Sequence, residues 1–222
     1  MEARRETLLK LIIENYIDRA EPVGSKLLIS DLDVSGATIR NEMRALEQEG
    51  FLTHPHTSAG RIPTEKGYQY YVEKLARPGS LKKKHQQALL DAATGAGSDP
   101  RKNLAKALAE ITGNGIILAL NPDSVYYTGM ASLFSQPEFR DYAHVVNFST
   151  IFDHCEERLA DLYELIDGEY RILVGNDNPL GQACSLIGTR INADSLLAIL
   201  GPMRMDYATN VGLIQFTKQL LK

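Results

Sequence analysis

Apolar residues near the start of the chain recur three or four positions apart, which is the spacing of one buried helical face. This stripe predicts a first helix that stops at "EPVG" (21–24). Its members are Leu8, Leu9, Ile12, Ile13 and Tyr16. We expect Ser25 to cap a short second helix that buries Leu27 and Leu28.

A third helix is predicted to begin after Ser35, its expected N-cap, and to end near Gly50. Its apolar face consists of Ile39, Met43 and Leu46, and its opposite face of Ala37, Arg40, Asn41 and Arg44. Helices joined by tight turns in this order are typical of a helix-turn-helix unit.

The segment "FLTHPHTSAGRIPT" (51–64) predicts two short strands around a loop. Thr64 then opens a fourth helix, whose apolar stripe is Tyr68, Tyr71, Val72 and Leu75. A hairpin directly after the third helix makes the unit a winged one, which we place at residues 1–76. The polar stretch "ARPGSLKKKHQQ" (76–87) indicates an exposed boundary, and we assign residues 77–100 to a linker and connecting helix.

The second half, residues 101–222, alternates helical and strand patterns. A helix is predicted at 101–112 and mostly helical structure at 136–167, with strands at 115–120, 124–129, 170–175, 184–191 and 196–201. The closing helix bears Tyr207, Val211, Ile214 and Leu221. This order predicts an α+β domain with a mostly antiparallel sheet.

Composition narrows the class of protein. The 222 residues are 44% hydrophobic and 23% charged, which is typical of a globular chain with two small domains. No apolar run approaches the ~18 residues of a membrane span, and the charged first helix does not resemble a secretory signal, so we expect a cytoplasmic protein without a membrane partner. Cys155 and Cys184 form no CxxC pair and are expected to be reduced core thiols.

The net charge of -4 is unevenly distributed. Residues 1–85 hold 14 Lys and Arg against 12 Asp and Glu, whereas residues 86–222 hold 10 against 16. The N-terminal excess is small, and charge alone does not predict a nucleic-acid partner.

The exposed face of the third helix carries side chains that can read DNA. The major groove admits one helix whose outward face is free of core residues. Arg40 and Arg44 can bond guanine or phosphate, Asn41 can pair with adenine, and Ala37 or Thr38 can contact a thymine methyl. The alternative is an ordinary solvated face of a surface helix.

The loop "PHTSAGRIPT" (55–64) combines small residues with one arginine. Small residues let a backbone approach a phosphate wall, the hydroxyls of Thr57 and Ser58 can bond phosphate oxygens, and an arginine can enter the minor groove. Arg61 has no obvious partner in the sequence, so we expect its partner to be DNA. The alternative is a mobile hairpin with one exposed cation.

Two other clusters suggest different chemistry. His54 and His56 could bind a metal, but neither cysteine nor carboxylate follows at ligand spacing. "DHCEE" (153–157) suggests a catalytic cysteine, but adjacent residues on a helix point in different directions. We therefore expect neither an enzyme nor a metal site.

Three blocks of the first half resemble the heat-inducible transcription repressor HrcA family: "YIDRAEPVGSKLL", "SGATIRNEMRALEQEGFL" and "HPHTSAGRIPTEKGYQYYV". "QPEFRDY" (136–142), "ILVGNDN" (172–178) and "GPMRMDY" (201–207) are similar to its C-terminal half. The resemblance implies a winged helix-turn-helix domain followed by a reduced GAF-like α+β domain at 101–222.

The resemblance also implies a function. The implied function is that of a homodimeric repressor of chaperone operons, which binds an inverted-repeat operator in double-stranded DNA. The chaperonin GroEL is the implied protein partner, and no cofactor is implied. Carried onto this chain, the recognition helix comprises residues 35–44 and the wing residues 56–64. The site residues are then Ser35, Ala37, Thr38, Arg40, Asn41 and Arg44 in the helix, and His56, Thr57, Ser58, Gly60 and Arg61 in the wing.

This chain departs from the resembled family in length. Members are over a hundred residues longer, and the deficit is expected near "ALNPDSVYY" (119–127), where the family's dimerisation subdomain would be inserted. The arrangement of the dimer and any sensing of heat therefore stay open. An alternative function is a transcription regulator that binds a small molecule in its GAF-like domain.

Overall fold

The protein is described by a computed structural model, which covers residues 2–32, 34–56, 59–95, 99–121 and 124–221. The chain divides into two compact units, Met1–Arg77 and Pro78–Lys222. Each unit has a core of its own. No helix of the described residues is long and apolar enough to cross a bilayer.

The first unit begins with α1, Ala3–Arg19, whose Leu8, Leu9, Ile12 and Ile13 are buried as the stripe predicts. The second helical segment, Ser25–Leu28, is a 3-10 helix, and its N-cap is Gly24 rather than Ser25. Leu28 is fully buried and Leu27 only half-buried. Four residues form little more than one turn, which favours the tighter 3-10 geometry.

Helix α2, Gly36–Gln48, follows the predicted pattern at both ends. The Ser35 hydroxyl accepts a hydrogen bond from the Thr38 N–H at 3.1 Å. Gly50 has a φ of +80°, and the N–H groups of Gly50 and Phe51 bond the carbonyls of Glu47 and Leu46. This pair of bonds is a Schellman motif, which requires the left-handed conformation that glycine adopts without strain.

A two-stranded hairpin follows α2. Strands β1, Leu52–Thr53, and β2, Ile62–Pro63, pair antiparallel. Helix α3, Glu65–Tyr70, is capped by the Thr64 hydroxyl and continues as one π-helical turn, Tyr71–Leu75. The hairpin and the helix capped by Thr64 therefore confirm the sequence prediction.

The second unit is built on a five-stranded antiparallel sheet with the order β4-β3-β7-β6-β5. Its strands are β3 Gly115–Asn121, β4 Ser124–Thr128, β5 Arg171–Val174, β6 Cys184–Arg190 and β7 Leu196–Pro202. All five predicted strands are present. The central strands β6 and β7 are almost wholly buried, which explains their nearly continuous apolar runs.

Helices cover both faces of this sheet. They are α4 Lys83–Thr94, α5 Pro100–Thr112, α6 Met130–Phe134, α7 Tyr142–His154, α8 Leu159–Leu165 and α9 Tyr207–Leu220. Ile117 and Ala119 of β3 pack in one cluster with Phe148 of α7 and Leu162 of α8. Alternate residues point to the other face, where α5 contacts β3, α9 contacts β6 and β7, and α4 packs on α5 and α9. The unit is therefore an α+β fold.

Candidate nucleic-acid interface

The predicted reading face of α2 is exposed. Ala37, Arg40, Asn41 and Arg44 are all solvent-exposed, while Ile39, Met43 and Leu46 on the other side are buried. Thr38 is half-buried because its hydroxyl lies 2.9 Å from that of Ser35, in the capping turn. Ser35 and Thr38 therefore have a local structural role in addition to the one predicted for them.

The loop of the hairpin is fixed at its C-terminal end. Arg61 and Val23 exchange two backbone hydrogen bonds of 2.8 and 2.9 Å, so a third extended segment borders β2. A β-carbon at Gly60 would lie 2.6 Å from the Val23 carbonyl carbon and 2.7 Å from the Pro22 oxygen, so only glycine fits. His56 is exposed, and Thr57 and Ser58 lie outside the described residues.

The expectation that Arg61 lacks a protein partner is wrong. Its Nη2 lies 2.8 Å from Glu47 Oε2, and the other Glu47 oxygen contacts His54 Nδ1. Glu47 lies in the last turn of α2. The hairpin folds back onto α2, so that His54 and Arg61, which lie on opposite sides of its loop, both contact Glu47. Sequence inspection could not find this partner because Glu47 belongs to a different element, 14 positions away.

A cleft of about 330 Å³ separates the hairpin from α2. Arg40 and Arg44 line it from α2 and Arg61 from the hairpin, with Val23 and Gly24 at one side. The Arg61 Nε atom is buried and has no hydrogen-bond acceptor in the part of the chain that the structure describes. Three guanidinium groups therefore border one small cleft, and one of them is incompletely bonded.

Two arginines that the sequence analysis passed over attach α1 to α2. Arg4 and Arg5 bond the two oxygens of Glu42 at 2.7 and 2.6 Å, and Arg5 also reaches Glu49 at 2.8 Å. The hydrogen bond from Arg5, with a second from Arg4, holds the pKa of Glu42 below its usual range. These contacts fix the orientation of α2 relative to α1.

The other sequence candidates carry no comparable geometry. His54 is committed to Glu47, and the described residues contain no group of three potential metal ligands. Cys155 is buried, and burial raises its pKa to about 11, so the thiol is protonated at neutral pH. His154 is exposed and lies 3.2 Å from Glu157. A protonated buried thiol is a poor nucleophile.

The segment "RMDY" (204–207) performs the structural role that its position suggests. Arg204 forms an ion pair with Glu138, and Asp206 caps α9 by accepting a hydrogen bond from the Thr209 N–H at 3.0 Å. The buried Tyr207 hydroxyl lies 2.8 Å from that of Ser185 on β6. These contacts fix the junction between β7 and α9.

The second unit also carries an open surface cleft of about 670 Å³. Ile151 and Leu180 form part of its wall, and Asn147, His154 and Arg158 bring polar groups to it. Its volume is within the range of small-molecule sites. If the protein were a regulator controlled by a small molecule, the alternative function, this cleft would bind the ligand.

Comparison with known families decides the relationship. The model of the HrcA protein C terminal domain matches residues 79–211, which is more than half of the chain. The chain belongs to the HrcA family.

Individual HrcA proteins also match parts of the chain. The chain is 48% identical over 114 residues to the heat-inducible transcription repressor HrcA of Bifidobacterium animalis subsp. lactis, covering 50% of this chain and 31% of that protein. It is 52% identical over 88 residues to the HrcA repressor of Chloroflexus aggregans, covering 39% and 23%. The chain thus spans less than a third of the length of these HrcA relatives.

One HrcA relative aligns with the whole chain. The repressor of Carboxydothermus hydrogenoformans is 25% identical over 332 positions, covering 100% of this chain and 97% of that protein. Because this chain has 222 residues, at least 110 aligned positions have no counterpart in it. The chain is therefore shorter than this relative.

A solved structure shares the fold. A crystal structure described as that of a hypothetical protein matches with a TM-score of 0.72 and 16% identity, covering 100% of this chain and 97% of that chain. At that identity the likeness concerns the fold alone.

Proposed function

We propose that this chain is a sequence-specific DNA-binding repressor of transcription that acts in the cytoplasm on heat-shock operons. The observation that carries the proposal is the exposed polar face of α2 beside a hairpin whose arginine borders the same cleft. In this proposal the first unit is a winged helix-turn-helix domain and the second a reduced GAF-like domain. The repressor names of the HrcA relatives support it.

The reading helix would enter the major groove with its exposed face toward the bases. Asn41 pairs with an adenine edge, and Arg40 and Arg44 bond guanine or a flanking phosphate. The hairpin, including His56 and Gly60, lies along the backbone and positions the domain without reading sequence. For Thr57 and Ser58, contact with phosphate oxygens stays a prediction from the sequence.

One reading helix recognises half of an inverted repeat, so the proposal includes a homodimer. We assign the pairing of the two copies to residues 101–222, since the linker through Lys84 is too polar to pair. A chaperonin of the GroEL type is the proposed partner that keeps the repressor active.

A gel-shift titration tests the function. The probes are a duplex from a chaperone-operon promoter and a shuffled duplex of the same composition, each titrated at several salt concentrations. We expect the promoter duplex to bind more tightly by at least ~10³, because specific binding exceeds non-specific binding by that factor or more. Equal affinity for the two duplexes at every salt concentration would contradict the proposal.

The open cleft at Ile151 and Leu180 supports a second candidate, a regulator controlled by a small molecule. A ligand that binds only the folded state raises the midpoint of thermal unfolding. Screening metabolite pools by thermal unfolding, with His154→Ala as a control for the cleft, distinguishes this candidate. If no compound raises the midpoint of thermal unfolding, the cleft is not a ligand site.

A further inference from the structure

The Glu47 carboxylate lies at the junction of the reading helix and the hairpin. One oxygen is 2.8 Å from Arg61 Nη2, and the other contacts His54 Nδ1. The side chains of Arg61 and Glu47 are 22% and 23% exposed, so the pair is partly shielded from water. The charge of Arg61 is therefore largely neutralised within the protein.

Glu47 is not needed to hold the backbone of Arg61 in place. That backbone is bonded to Val23 by two hydrogen bonds, and the next residue, Ile62, pairs with Thr53 in the hairpin. The contact of Gly60 with Pro22 and Val23 fixes the preceding position as well. Removing the Glu47 charge would thus release the guanidinium group without loosening the strand that carries it.

The guanidinium group has unused donors. Besides Glu47, the guanidinium group contacts the Ala59 carbonyl at a weak 3.5 Å from Nη1, and the buried Nε has no acceptor among the described residues. A phosphate offers more acceptor oxygens than the one Glu47 oxygen now used, and arginine can bond it through two parallel N–H groups. The cleft beside Arg61 already carries Arg40 and Arg44.

We infer that Glu47 competes with DNA phosphates for Arg61 and so lowers the affinity of the first unit for DNA. In the free protein its carboxylate occupies the guanidinium group, and a phosphodiester must replace it when the domain binds DNA. After the exchange, His54 still contacts Glu47. This inference rests on the proposed DNA-binding function.

The exchange affects arbitrary and specific DNA through the same backbone contact. On arbitrary sequence, backbone contacts supply nearly all of the affinity, so an occupied arginine weakens binding directly. On an operator, base contacts from α2 add free energy that is independent of Arg61. Glu47 therefore lowers the affinity for both kinds of DNA by a similar factor and leaves their ratio nearly unchanged.

Glu47→Gln tests the inference because glutamine keeps the shape and removes the charge. Affinity for a labelled random-sequence duplex and for the chaperone-promoter duplex is measured by fluorescence anisotropy, from about 50 to 200 mM salt. We expect binding to the random duplex to tighten by ~3- to 10-fold, with a salt slope steeper by up to ~0.9, because Arg61 contacts a phosphate in the wild type only in competition with Glu47. The promoter duplex should tighten by a similar factor, so the ratio of the two affinities stays nearly unchanged.

Two further variants isolate the pair. Glu49→Gln removes the same charge from the end of the same helix, but Glu49 bonds Arg5 rather than Arg61, so this control should leave the salt slope unchanged. In the Arg61→Ala background, Glu47→Gln should have no effect on the slope. An equal effect with and without Arg61 would show general electrostatics and overturn the inference.

The remaining outcomes are also decisive. Unchanged or weaker binding of Glu47→Gln to the random duplex overturns the inference and would assign Glu47 to holding the hairpin. If thermal unfolding finds this variant destabilised, Glu47→Asp shortens the reach to Arg61 and must give the same direction of change. A wild-type chain without preference for the promoter rejects the proposed function, whereas the competition is decided on the random duplex alone.

Discussion

Asn41 is the residue whose role the proposal defines most narrowly. It is exposed on α2, and its amide can donate and accept toward one adenine edge. We expect Asn41→Ala to cost roughly 1 to 3 kcal/mol on the promoter duplex and much less on a random duplex, since a base contact carries sequence information. Anisotropy titrations of both duplexes measure the difference.

Asn15→Ala is the matched control for that change. It removes an amide from α1 that bonds the Leu11 carbonyl at 2.8 Å, so its effect on the two duplexes should be equal and small. If Asn41→Ala also weakens both duplexes equally, Asn41 contacts the backbone instead of a base.

At the scale of the element, the ion pairs between α1 and α2 decide how firmly the reading helix is held. The pKa of Glu42 is lowered in the folded protein by Arg5 and Arg4, so its contribution to stability is present above the ordinary glutamate pKa. That contribution is lost as the pH falls through the lowered folded value. We expect the first unit to lose stability progressively in this acid range.

Glu42→Gln should lower the stability at neutral pH and flatten this acid dependence. Urea unfolding at a series of pH values measures both effects. Glu73→Gln is the control, because Glu73 and its partner Lys74 are 67% and 56% exposed and such surface pairs contribute little. An acid dependence as steep in Glu42→Gln as in the wild type would exclude Glu42 as its source.

Local chemistry determines the elements that the sequence predicts well. Ser35, Gly50 and Thr64 act at helix ends through their own side chains or backbone angles, so their effects can be read within a few residues. The sequence also predicts the sheet strands, since turn signals bound their apolar runs.

Contacts between elements cannot be predicted in this way. The partner of Arg61 depends on how the hairpin folds onto α2. The capping role expected of Ser25 is wrong for a related reason, since Gly24 takes that position before a single 3-10 turn.

At the scale of the whole molecule, the proposed dimer makes the two units depend on each other for tight binding. Linking two reading helices raises affinity by ~10² to 10⁴ without a new DNA contact. We expect a fragment of residues 1–77 to fold, because its core lies within that unit, and to bind the promoter at least ~100-fold more weakly than the full chain. Gel-shift titrations compare the two.

Light scattering of the full chain at micromolar concentration is the companion measurement. A monomeric chain, together with equal affinity of the fragment, would reject the dimer and leave the second unit without the proposed role. The test is informative because at least 110 positions aligned with the Carboxydothermus relative have no counterpart in this chain. We propose that the lost positions fall between β3 and β4, which pair directly as neighbours in the sheet.

The contact between Gly60 and the backbone of Pro22 and Val23 also limits how this protein can evolve. A mutation that adds a side chain at position 60 collides with main-chain atoms, which no rotamer change can relieve. Such a mutation becomes tolerable only after the turn at 20–24 has changed its length or course. In an alignment of relatives, substitution of this glycine should therefore coincide with insertions or deletions in that distant turn, so that the two positions covary although neither contacts DNA through a side chain.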